Sequence, residues 1–222
     1  SVCAEACVNS KREVMRITQP GWHHNLGDLL FDDQGLLYIA SGDGSTAATV
    51  PPFMSDNSLT LETIFGKILR IDPLGNNSQN GKYGVPIDNP FHDGTGVNID
   101  EIYAYGLRNP FRLEFDPETQ ALYASETGEE FIESIERIVP GGNFGWNEME
   151  GRFRFRLGIL MKTFNGPGVE FRPRGSKVWF SLKDYHQNGV ERHAVDKSTF
   201  DICARMLSVS VFREGAWPNI SS

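Results

Sequence analysis

One pattern, written twice, constrains this chain most. Residues 28–32 read D-L-L-F-D, a D-Q-G turn follows, and residues 36–41 read L-L-Y-I-A-S. Two short apolar runs joined by a Gly-containing turn form a β-hairpin. Residues 112–116, R-L-E-F-D, and 121–125, A-L-Y-A-S, repeat the pair. Phe31 and Phe115 lie 84 positions apart, and Tyr38 and Tyr123 lie 85 apart. The first hairpin is followed by K-I-L-R-I-D (67–72) and E-I-Y-A-Y (101–105). The second is followed by S-I-E-R-I-V (134–139), and Asn143 to Trp146 takes the place of a fourth strand. Units of four short strands recurring at a fixed period are the mark of a β-propeller. The expected fold class is therefore all-β, a partial propeller of about two four-stranded blades with pieces of others. Arg12 to Thr18 alternates roughly and reads as a strand of an earlier blade. Residues 45–62 and 73–100 read as long loops, with Asn57 to Ile64 the single short helical candidate.

Composition agrees and excludes some partners. With 23 Gly and 12 Pro, turns are frequent, and 222 residues at 39% apolar content can bury a core. The net charge of -8 argues against nucleic acid or an anionic membrane as the main partner. No apolar run approaches the ~20 residues that span a bilayer. Cys3, Cys7 and Cys203 contain no C-x-x-C pair, which argues against a structural zinc site. A Cys3–Cys7 disulfide and free thiols both remain open. The charge is uneven. Residues 1–151 hold 9 Lys and Arg against 23 Asp and Glu, a net of -14, while residues 152–222 hold 12 against 6, a net of +6. The break at R-F-R-F-R marks a domain boundary or a change of origin.

The repeat also places a site. In an antiparallel blade, the start of the first strand and the end of the second lie on the same side. Trp22-His23-His24-Asn25 precedes one first strand, and Gly42-Asp43-Gly44 follows its second. Arg108-Asn109, at the end of Y-A-Y-G-L-R-N-P, precedes the next first strand, and Glu126-Thr127 follows its second. His24, Asp43, Arg108, Asn109 and Glu126 should thus gather at one mouth of a central channel. A histidine beside an aspartate brought round by the hairpin makes a base and its orienter. Plainer readings stand beside this one. His24 is then a solvent-facing loop residue, Asp43 a turn-former, and Arg108 a loop anchor tying carbonyls together. Trp146 reads as a filler between blades.

Six motifs occur in order: H-H-N-L-G-D-L, L-L-Y-I-A-S-G-D-G, G-K-I-L-R-I-D-P, V-P-I-D-N-P-F, E-I-Y-A-Y-G-L-R-N-P-F-R and P-G-G-N-F-G-W-N-E-M-E-G. Over roughly residues 12–151 the chain resembles the glucose/sorbosone dehydrogenases, soluble quinoprotein sugar dehydrogenases. The resemblance implies a six-bladed propeller with pyrroloquinoline quinone (PQQ) and calcium over the channel mouth. It implies oxidation of an aldose to its lactone, an electron acceptor as second partner, and a periplasmic or extracellular setting. Carried over, it makes His24 the general base, Asp43 the holder of its imidazole, and Arg108 the group facing the quinone oxygen. Asn109 and Thr127 lie beside the cofactor, and Gly128 and Glu129 are the calcium candidates. Thr127 stands where some members have Gln, and Glu129 where some have Pro. The alternatives are a non-catalytic binding propeller akin to Hedgehog-interacting proteins and a lactonase with a central metal.

Residues 1–151 are thus expected to form the partial propeller. Residues 152–222 form a basic tail outside the motifs, a degraded blade or a segment foreign to the fold, packed less well than residues 20–150. Two blades and pieces cannot close a six-bladed ring, so this chain reads as a fragment or misjoined product. Alone, it is expected to hold the quinone weakly and to show little activity.

Overall fold

A computed structural model describes residues 11–44, 56–129 and 132–151, and beyond these the backbone of four strands between 153 and 184. The fold is all-β. Strands β1 (Leu26–Phe31), β2 (Leu37–Ser41), β3 (Lys67–Ile71) and β4 (Ile102–Tyr105) form one antiparallel sheet in chain order. This is the first expected blade. Strands β5 (Pro110–Phe115), β6 (Leu122–Glu126) and β7 (Ile132–Ile138) repeat its first three strands. Register follows the repeat: Leu30 pairs Tyr38 in the first hairpin, and Glu114 pairs Tyr123 in the second.

The second blade departs from expectation at its fourth strand. Asn143 to Trp146 forms no strand; a single bridge joins Asn143 to Tyr105. The cause is the glycine run. Gly141 and Gly145 take φ of 72° and 87°, which β geometry does not allow. The outer edge of β7 is instead paired in parallel by β12 (Trp179–Asp184), which in turn pairs β11 (Gly168–Phe171). Strands β8 (Met149–Glu150), β9 (Phe153–Arg156) and β10 (Ile159–Met161) form a separate meander.

Two other expectations are corrected. Arg12 to Thr18 is irregular, not a strand. Val14 and Met15 pack against the core, but the segment is held by side chains: Arg12 donates to the Lys82 carbonyl (2.7 Å) and Asn80 to the Val14 carbonyl (3.3 Å). The helical candidate shrinks to one 3-10 turn, Asp56–Ser58. Residues 73–100 are a long loop, as expected. Cys3, Cys7, Cys203, residues 45–55 and the packing of the tail's side chains lie outside the described residues.

Alternation along β2 and β3 builds two cores. Tyr38, Ala40 and Ile68 face the second sheet and pack with Leu113, Leu122, Ala124 and Phe144. Tyr38 sits at the centre, edge-on to Tyr103 (5.1 Å) and Phe115 (5.3 Å). Ile39, Leu69 and Ile71 face the other way, where Tyr83 and Val85 of the long loop cover them. Burial on both faces explains why these strands read as nearly continuous apolar runs. The innermost strands β1 and β5 run side by side. A Cβ at Gly27 would collide with the Pro110 carbonyl oxygen, and Leu113 N donates to Asp28 Oδ2 at 3.1 Å.

One buried charge fastens the site end of this frame. Lys67 is fully buried, and its ammonium donates to the carbonyls of Asn57 (2.6 Å), Ser58 (3.0 Å) and Phe65 (2.6 Å). Burial pushes its pKa down to about 7, against the pull of the Asp43 carboxylate. Through it the 3-10 turn is locked to the start of β3. The turn in turn reaches both corners: Asn57 Nδ2 donates to the Asp43 carbonyl (2.9 Å) and Ser58 Oγ to the Leu107 carbonyl (2.6 Å). Lys67→Met would strip three carbonyls of this donor. The expected loss is about 2–5 kcal/mol of unfolding free energy, seen as a lower denaturant midpoint at unchanged slope. A midpoint equal to the parent's would refute the role given to Lys67.

Candidate active site

The two polar corners meet. His24 stands in the turn before β1 with φ of 50°, in the left-handed region that a non-glycine residue seldom occupies. Its carbonyl accepts from Gly44 N (3.1 Å), and a Cβ at Gly42 would collide with that same carbonyl. The G-D-G spelling after β2 is therefore what lets the histidine corner close over the aspartate. His24 Nδ1 lies 2.7 Å from Asp43 Oδ1. A carboxylate partner makes Nδ1 the donor and leaves the Nε2 lone pair as the proton-accepting position.

Asp43 is buried and serves both corners. Its second carboxylate oxygen accepts from Trp146 Nε1 at 2.8 Å, and its backbone N donates to the Arg108 carbonyl at 2.7 Å. Trp146 is buried too, anchored by its own N to the Gly106 carbonyl (2.8 Å), and the Arg108 guanidinium lies over its ring, 5.4 Å from the centroid. Gly106, at φ 76°, is the hinge that turns the chain from β4 into Leu107-Arg108-Asn109. His24, Asp43 and Arg108 are thus brought together as the repeat requires. Asn109 joins them: its carbonyl accepts from Thr127 N (3.2 Å) and its Oδ1 lies against Gly42.

Arg108 faces into the corner after β6. Its Nη1 donates to the carbonyls of Thr127 (3.2 Å) and Gly128 (2.9 Å), its Nη2 is ion-paired with Glu129, and its backbone N donates to Glu126 Oε1. Its Nε is buried with no hydrogen-bond partner. The residues assigned to the quinone and those assigned to calcium are therefore in contact with each other. Among the described residues, no three His, Cys, Asp or Glu side chains converge in a metal-binding group. A hard cation here would rely on the carbonyl oxygens of Thr127 and Gly128 with the Glu129 carboxylate, which suit calcium by chemistry.

Three residues escape a reading of the sequence. Trp146 is not only a filler, because it also fixes Asp43. Its partner lies 103 positions away, so no local spacing betrays the pair. Glu150 is buried, and its Oε1 accepts from Glu129 N (2.8 Å) and Ile132 N (3.2 Å), so it shapes the corner from below. Glu133 is the third. Burial pushes its carboxyl up to about 7, despite the Gly128 N–H and the Arg108 charge, which pull the other way.

That shift has a sign. The folded chain holds the Glu133 proton more tightly than the unfolded chain, whose carboxyl titrates near 4.5. The group's contribution is greatest at low pH and is lost as pH rises from about 4.5 through about 7. Glu133→Gln should remove this loss, so the variant gains stability over the parent across that window. A parent-minus-variant difference that is flat with pH would contradict the shift.

Comparison with known proteins bears on this site. A family model for glucose/sorbosone dehydrogenase matches residues 6–168. The HIPL1 protein of Arabidopsis thaliana is 32% identical over 231 aligned residues, covering 95% of this chain and 32% of that protein. The aldose sugar dehydrogenase YliI of Escherichia coli is 32% identical over 124 residues, covering 56% and 29%. The quinoprotein glucose dehydrogenase B of Acinetobacter calcoaceticus is 28% identical over 179 residues, covering 76% and 33%. The chain spans about a third of the length of these relatives.

Proposed function

The chain belongs to the glucose/sorbosone dehydrogenase family, and we propose that it supplies one side of a quinoprotein sugar dehydrogenase site. The observation that carries this reading is the His24–Asp43 pair at 2.7 Å, set beside Arg108 by the Asp43 N–H. The Nδ1–carboxylate bond also presents Nε2 in the tautomer that can accept a proton, which is the feature a dehydrogenase would use.

The donor chemistry fits the cofactor. Arg108 offers a buried, unpartnered Nε–H and a positive charge, which suit an anionic, oxygen-rich quinone. When bound, PQQ would act as the two-electron acceptor for hydride from the sugar's anomeric carbon. His24 Nε2 would take the proton of the anomeric hydroxyl. Asp43 holds the imidazole in the tautomer that can do so and offsets the charge it then gains. Trp146 keeps Asp43 in place. Arg108 and Asn109 would hold the oxygens on which negative charge grows. Thr127, Gly128 and Glu129 would contribute oxygens to calcium. The sugar, the acceptor and a setting in the periplasm or outside the cell belong to the same reading. Among the described residues no helix is long and apolar enough to cross a membrane.

Quinone binding tests the reading directly. The purified chain with calcium would be titrated with PQQ and followed by quinone absorbance. Weak but saturable binding is expected, loosened at least tenfold by Arg108→Gln. Absence of saturation, or indifference to Arg108, would count against it. Within a complete ring containing this segment, His24→Ala should cut turnover about 100-fold or more with a smaller effect on KM. Unchanged turnover would rule out His24 as the base.

A further inference from the structure

Arg108 is engaged with the very oxygens that a calcium ion in this corner would need. Thr127 O, Gly128 O and the Glu129 carboxylate all meet one guanidinium, whose side chain is nine-tenths buried. The corner is rigid around them. Glu150 Oε1 holds Glu129 N and Ile132 N, Glu126 Oε1 holds Arg108 N, and a Cβ at Gly128 would collide with the Ile132 carbonyl. The backbone of the corner is therefore fastened by Glu150 as well as by Arg108, and its two carbonyls and the Glu129 carboxylate form an oxygen cluster with an arginine side chain in it.

Two cations cannot share these oxygens. Calcium takes six to eight oxygen ligands, and this corner offers two carbonyls and a carboxylate. A guanidinium at hydrogen-bond distance from the same atoms would face it at a few ångströms, where like charges in a part-buried setting repel strongly. Of the groups that meet here, the guanidinium is the one carried on a long side chain with rotatable bonds. Its guanidinium rests on the Trp146 face, along which a planar group can slide, and its Nε is not tied to any acceptor. Glu129 is the residue that makes the exchange strong in both directions, because its carboxylate serves whichever cation is present.

We propose that Arg108 and calcium exchange on the Thr127–Gly128–Glu129 oxygens, so that calcium binding releases the Arg108 guanidinium toward the channel mouth. The proposal rests on the dehydrogenase reading, in which Arg108 acts at that mouth. It adds an order of events: the metal binds first and frees the arginine, and the quinone follows.

The test is calcium binding with no quinone present. Calcium would be titrated calorimetrically into the chain, Arg108→Gln and the double variant Arg108→Gln/Glu129→Gln at one ionic strength. Arg108→Gln should bind calcium at least tenfold more tightly than the parent, because the competing cation is gone. Removing the Glu129 carboxylate as well should reverse the gain. Arg108→Lys serves if the glutamine variant fails to fold. Lysine keeps the charge but cannot bridge three oxygens as the planar fork does, so it too should bind calcium more tightly than the parent. A readout on the unaltered chain needs no variant. The Arg108 Nε–H resonance should shift and exchange faster with solvent as calcium saturates.

Equal or weaker affinity without the arginine, an Arg108 resonance unmoved at calcium saturation, or no calcium binding by any form would each overturn the proposal. Failure of quinone binding with the exchange intact would tell against the dehydrogenase reading alone. Failure of the exchange with Arg108-dependent quinone binding intact would tell against this proposal alone.

Discussion

Asp43 is the residue on which the site depends. It is a buried carboxylate with two directional donors, His24 Nδ1 and Trp146 Nε1, and its own N–H is tied to the Arg108 carbonyl. Burying a carboxylate costs several kcal/mol unless it is well partnered. The partners here come from three distant parts of the chain, the turn before β1, the corner before β5 and the glycine-rich stretch after β7. Satisfying one charge therefore docks three segments. The lower frame follows the same logic with opposite sign, since the Lys67 ammonium gathers three carbonyls and sets the turn that holds the Asp43 carbonyl.

The arrangement separates the backbone frame from the polar side chains it carries. Gly42 and Gly106 allow backbone approaches that any side chain would block, so the corners pack backbone to backbone. The His24 and Arg108 side chains stand on this base with defined orientations. His24 is held through its Nδ1, and Arg108 is held through its backbone and its Nη atoms while its Nε stays without an acceptor. Carboxylates gather near Arg108: Glu129 offsets its charge, and Glu126, Glu133 and Glu150 shape the β6–β7 corner. Burial keeps one of them, Glu133, close to protonation at neutral pH.

Much of this is legible in the sequence, for a physical reason. Strands that alternate between two cores spell their own positions, and the Tyr38/Tyr123 repeat aligns two hairpins whose ends share a side. From that, His24, Asp43, Arg108 and Asn109 follow without coordinates. Where the sequence misleads, backbone pairing decides, not side-chain pattern. Arg12 to Thr18 alternates, and Val14 and Met15 do pack inward, but the segment is held by Arg12 and Asn80 contacts and not by a ladder. Asn143 to Trp146 occupies the fourth-strand place in order, yet glycines at positive φ turn it into the corner that delivers Trp146 to Asp43. The parallel pairing of β12 on β7 leaves no trace in local periodicity, because both parallel and antiparallel edges accept the same side chains.

The central claim is that the two corners act as one unit through the Asp43 carboxylate. His24 and Trp146 share that carboxylate, so a double-mutant cycle of His24→Ala and Trp146→Phe on unfolding free energy tests it most directly. The account predicts a coupling of about 0.5–3 kcal/mol, the range for residues in one hydrogen-bond network. Additivity within about 0.3 kcal/mol would show that the corners are independent and contradict the account.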